Sequence, residues 1–95
     1  MDVRIAARAR ADLLTITEYI AAEDHGAAEA LLERFLALVE TLADQPLMGR
    51  PGRVSGTREL VLHCSYLVAY RVTDDAVEII HVRHAARRWP TAFPE

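Results

Sequence analysis

The residues best suited to chemistry are the histidines and arginines of the second half of the chain. His63 ends one hydrophobic run, His81 and His84 lie in another, and Arg83, Arg87 and Arg88 lead on to Trp89. Imidazole titrates near neutral pH and can move protons, whereas a guanidinium fork matches phosphate or carboxylate. His81 and His84 are three residues apart on an expected strand, where odd spacing directs them to opposite faces and makes them a poor metal pair. His63 can approach one of them across a hairpin. No carboxylate is in view to orient it, so a structural hydrogen-bonding role outweighs that of a general base. Cys64 is the only cysteine and lacks metal-ligand or nucleophile spacing, so it reads as an inert thiol suited to a reducing cytoplasm. With no phosphate loop, dinucleotide fingerprint, zinc spacing or nucleophile elbow, neither a cofactor nor a metal is expected.

Three strands are expected to position these groups. Arg58 to His63 and Tyr66 to Val72 are rich in β-branched and aromatic residues, and only Cys64-Ser65 separates them, which predicts a tight hairpin. A turn at Thr73-Asp74-Asp75 leads into a third strand, Val77 to Arg83. The cationic segment from His84 to Pro90 follows and is expected to emerge at the sheet edge. Ahead of the meander, Val3 and Ile5 alternate with polar residues as a short strand. Ala6, Ala9, Leu13, Ile16 and Ile20 predict a helix over 7–22, whose other faces carry Arg8, Arg10, Asp12 and Glu18. Asp24 is placed to cap a second helix over 27–43, with Ala28, Leu31, Phe35, Leu38 and Leu42 in register, backed by Leu32 and Val39. The loop from Pro46 to Gly56 displays Arg50 and Arg53, which serve as binding residues, as solvated charges or as partners for acids of the second helix. Arg58 contacts a target or pairs with Glu78. The expectation is therefore a single α+β domain of order β-α-α-β-β-β, a helical hairpin on a largely antiparallel sheet.

Charge is distributed unevenly over the 95 residues. Residues 1–45 carry nine acids against four arginines, and residues 46–95 carry seven arginines against five acids, within a net charge of −3. All eleven cationic residues are arginine. An acidic chain is a poor general binder of polyanions, and sequence-specific DNA binding is not expected. No apolar run approaches a membrane span, and no apolar stretch follows Met1 to Arg4 as in a secretory leader, so a cytoplasmic protein without membrane contact is expected.

Gly56-Thr57-Arg58-Glu59-Leu60, then Tyr66-Leu67-Val68-Ala69-Tyr70-Arg71-Val72, then His84 with Arg87-Arg88-Trp89-Pro90, resemble in order and spacing the toxins of RelE/ParE-type toxin–antitoxin pairs. The likeness spans nearly the whole chain. It implies a growth-inhibiting toxin neutralised by a cognate antitoxin, whose acids would meet Arg50, Arg53 or Arg58. RNA-cleaving members of this family act on ribosome-bound mRNA and place an arginine just after the aromatic that opens the middle strand; here that place holds Leu67, after Tyr66. A second arginine on the last strand is matched by Arg83, and a later tyrosine is replaced by Trp89, whose indole has no useful acid–base pKa. The resemblance therefore points to the ParE-like branch, associated with DNA gyrase inhibition without catalysis, with Arg83, His84, Arg87, Arg88 and Trp89 facing the target. The alternatives are an mRNA interferase using Arg83, His84 and His63, or a degenerate member acting only as an antitoxin-binding co-repressor.

Overall fold

The computed structural model describes residues 1–63 and 65–86. Cys64 and the expected target-binding residues Arg87, Arg88 and Trp89 fall outside them. The first helix, α1 (Ala7–Ala21), follows strand β1 (Asp2–Ile5), and the second, α2, spans His25–Asp44. The Asp24 carboxylate accepts the Ala27 N–H at 3.0 Å, the expected cap, and so fixes the helix start two residues ahead of the expected position. On α1 the apolar stripe of Ala9, Leu13, Ile16 and Ile20 turns inward; on α2, Ala28, Leu31, Phe35 and Leu42 are buried. Leu32 does not back that face. It is exposed on α2 together with Leu36.

Four further strands complete one sheet: β2 (Arg50–Pro51), β3 (Arg58–His63), β4 (Tyr66–Val72) and β5 (Ala76–His84). Their spatial order is β1-β5-β4-β3-β2. The expected meander is present, β3 to β4 to β5 antiparallel, with a bulge in β5 opposite Ala69 and Tyr70. Strand β1 adds parallel to β5, Val3 against Val77 and Ile5 against Ile79, which makes the sheet mixed. Two residues of the expected loop, Arg50 and Pro51, pair with Glu59 and Arg58 as an additional edge strand.

The main core lies between the helices and one face of the sheet, where Leu31, Phe35, Leu42, Val68, Tyr70, Val77 and Ile79 meet. The opposite face is partly covered rather than open. Val54, from the turn after β2, packs there on Ala69 and Ile80. Tyr70 is wholly buried, and its hydroxyl accepts the Gly49 N–H at 2.8 Å. A Cβ at position 49 would lie 2.6 Å from that oxygen, so only glycine lets the loop approach so closely. Gly56, at φ 79°, makes the turn that returns the chain to β3. Among the described residues no helix is long and apolar enough to cross a membrane.

Strand β1 stops at Ile5 while β5 continues to His84. The edge of β5 beyond Ile79 is consequently met by α1. Ala6 donates its N–H to the Ile79 carbonyl at 2.8 Å, and the Val82 N–H donates to the Asp12 carboxylate at 3.2 Å. Asp12 thus supplies the acceptor that a neighbouring strand would otherwise provide.

Candidate functional site

Arg8, Asp12, Thr15 and Tyr19 recur at four- and three-residue steps, so they share one stripe of α1 beside the apolar one. This stripe faces the end of β5, and a cleft of about 250 Å³ opens between them. Its other wall is Tyr66, His81, Val82, Arg83 and His84. His81 and His84, three residues apart on β5, both line this cleft. The Tyr66 and His84 rings meet edge to face with centroids 5.4 Å apart, and His84 Nδ1 accepts the Ala86 N–H.

His81 is buried, and its Nδ1–H donates to Asp12, whose carboxylate also receives Val82 N–H. Burial lowers the His81 pKa below the ordinary imidazole value. Its bond to Asp12 and that carboxylate's charge oppose the shift, and the cations of Arg8 and Arg83 reinforce it. The pair clamps α1 to β5 with a neutral ring and a fixed tautomer. Sequence reasoning missed Asp12 as a partner. The signal was present in its four-residue offset from Arg8 and three-residue offset from Thr15, but nothing in the sequence shows that α1 crosses the end of β5.

Arg83 and His84, consecutive on β5, both line the cleft. His63 does not join them. It pairs across the hairpin with Tyr66, which in turn pairs with His84, so a whole strand lies between the two imidazoles, about 10 Å at ordinary strand spacing. Leu67, opposite Arg83 on the neighbouring strand, is 3% exposed. Among the described residues no group of three or more histidine, cysteine or acidic side chains gathers as for a metal.

The loop arginines have a different environment. Glu59, 3% exposed, accepts from Arg53 N–H at 2.8 Å and forms ion pairs with Arg53 Nε at 3.4 Å and Arg50 at 3.5 Å. Arg53 also reaches the Ala85 carbonyl at 3.1 Å. Their acid lies on β3, not on α2 as one expectation had it. Arg58 does not pair with Glu78, since β4 lies between their strands; its guanidinium donates to the Leu47 and Gly49 carbonyls at 3.2 and 2.7 Å. It also lines a shallow hollow with Leu47, Pro51, Gly56, Thr57 and Val72, beside the β2 edge.

Comparison with known proteins places this architecture. Residues 3–89 match the family model described as the ParE toxin of the type II toxin–antitoxin system parDE. The chain is 43% identical over 89 residues to toxin Y4kP of Sinorhizobium fredii, covering 93% of this chain and 92% of that protein. It is 39% identical over 80 residues to toxin RelE2 of Caulobacter vibrioides, covering 84% and 90%. Among solved structures, the fold is similar to that in the chromosomal ParDE system of P. aeruginosa, with a TM-score of 0.76 at 22% identity over 88% of this chain and 95% of that one. A YoeB/ParE toxin from Agrobacterium tumefaciens gives 0.63 at 17% identity, covering 88% and 98%.

Proposed function

The chain belongs to the ParE toxin family of type II toxin–antitoxin systems, within the ParE/RelE superfamily, and from that premise we propose that it is a cytoplasmic toxin that inhibits DNA gyrase by binding rather than by catalysis. The observation that carries this reading is the buried Leu67 against Arg83. An RNA-cleaving member would place a cation at the first of these positions. Here the side chain is apolar and packed, and the loss of one such stabiliser removes about 3 kcal/mol of transition-state binding. His81, which has a carboxylate partner, is buried and spent on joining α1 to β5. Arg83 and His84 remain as part of a target-binding face, and Arg87, Arg88 and Trp89, next in the sequence, are assigned to it as well.

The toxin is held inactive by a cognate antitoxin. Its acids meet the partly exposed Arg50, Arg53 and Arg58, and an extended segment adds to the short β2 edge or fills the hollow beside it. Leu32 and Leu36, exposed on α2, add apolar surface suited to cover by a partner. A second reading, an mRNA interferase, is favoured by the adjacency of Arg83, His84 and the Tyr66 ring in one cleft. Two assays on the purified protein separate them. The gyrase reading expects loss of supercoiling activity or trapped cleaved DNA, with mRNA intact on translating ribosomes. Codon-spaced cuts with unimpaired gyrase would overturn it and make Arg83 and His84 catalytic candidates.

A further inference from the structure

We propose that the cleft between α1 and the end of β5 is a binding site for a nucleoside monophosphate, with the phosphate between Arg8 and Arg83 and the base over Tyr19. The two arginines stand on opposite walls of the hollow. Neither forms a hydrogen bond or ion pair with any described residue, in contrast to Arg50, Arg53 and Arg58. Two uncommitted guanidiniums converging on one hollow make a site for a doubly charged oxyanion, since each offers a planar pair of donors to phosphate oxygens. Both are near enough to His81 to disfavour its protonation, which places their charges around the same point.

The acid in the cleft does not cancel them. Asp12 is turned to His81 and to the Val82 N–H, so its lone pairs are used within the fold, and one negative charge stands against two positive ones. His81 is neutral at pH 7 because its pKa is lowered. His84 and the hydroxyls of Thr15, Tyr19 and Tyr66 complete the polar lining.

The aromatic rim selects the rest of the ligand. Tyr19 is 76% exposed, and it stands one turn beyond Thr15 on the stripe that carries Arg8. An exposed ring at the mouth of a cationic cleft offers a face on which a base can stack, and stacking tolerates any base. The hollow of about 250 Å³ takes a phosphate and its sugar, with the base left at the open rim.

The test is titration of the full-length protein with AMP, with inorganic phosphate and with adenosine at low salt, followed by calorimetry and by backbone amide NMR. AMP is expected to bind with shifts at Arg8, Tyr19, Val82 and Arg83, phosphate more weakly at the same residues, and adenosine negligibly. Arg8→Ala and Arg83→Ala should each weaken AMP binding about tenfold or more, the scale of one lost charged contact. Tyr19→Ala should weaken AMP but leave phosphate unchanged, and Arg10→Ala, off the stripe, should change neither. Circular dichroism establishes that each variant is folded. Absence of saturable AMP binding, binding that survives Arg8→Ala, or shifts confined to the loop around Arg50 would overturn the assignment.

Discussion

The loop around Glu59 and the cleft around Asp12 are built from the same materials, one partly or wholly buried acid and two or three arginines, and they use them in opposite ways. In the loop the carboxylate is spent on the arginines. Arg50 and Arg53 pair with Glu59, and Arg58 closes on two backbone carbonyls, so the charges fasten the 47–59 segment to the sheet. In the cleft the carboxylate is spent on an imidazole and a backbone N–H, and Arg8 and Arg83 are left lining the hollow with no ion pair to a described residue. Arginine content alone does not mark a binding surface; the destination of the nearest carboxylate decides whether the cations hold the fold or await a ligand.

The contrast can be broken by stability measurements. Glu59→Ala should have the largest effect, about 3 kcal/mol in urea unfolding, because it leaves the Arg53 N–H without its carboxylate acceptor and removes the buried acid that Arg50 and Arg53 share. A loss below about 0.5 kcal/mol, the ordinary range of surface changes, would mean that the loop cluster is not structural. Tyr70→Phe should cost less, about 1–2 kcal/mol, by orphaning the buried Gly49 N–H while keeping the ring packed. An unchanged unfolding midpoint would remove that bond from the account.

The cleft should respond to pH rather than to truncation. His81 has a lowered folded-state pKa, so the unfolded chain binds the proton more readily. Its contribution is fully present above the unfolded value, about 6.5, and is lost as pH falls through the folded value. Urea midpoints compared at pH 7.5 and pH 5 should therefore drop on acidification, and the drop should shrink in His81→Gln. An identical pH dependence in that variant would show that His81 is not the group responsible. The smallest effect is expected from Arg8→Ala and Arg83→Ala, each within about 0.5 kcal/mol of the parent, since neither arginine has a partner among the described residues to lose. A drop above 1 kcal/mol in either, well outside that range, would move the cleft into the same class as the loop.

Much of the fold was legible because its signals are local. The apolar stripes of both helices, the Asp24 cap and the two-residue hairpin spacing each depend on neighbours within a few positions. The parallel pairing of β1 with β5 was not, since Val3 and Val77 meet across most of the chain. The same distance hid Asp12, which meets His81 and Val82 only because β1 is shorter than the strand it pairs with. Glu59 was hidden differently. An acid within a strand pattern reads as solvent-facing, and its burial follows from Arg53 and Val54 folding back over the sheet. Of the expected site residues, Arg83 and His84 share the cleft, and His63 is separated from it by β4.

The most direct measurement is gyrase supercoiling in the presence of the parent toxin, Arg83→Ala and Arg50→Ala at equal concentrations of folded protein. The parent and Arg50→Ala should inhibit alike, and Arg83→Ala should inhibit much more weakly, because Arg83 lines the open cleft while Arg50 is tied to Glu59. Equal inhibition by all three, or none by the parent together with cleavage of ribosome-bound mRNA, would contradict it.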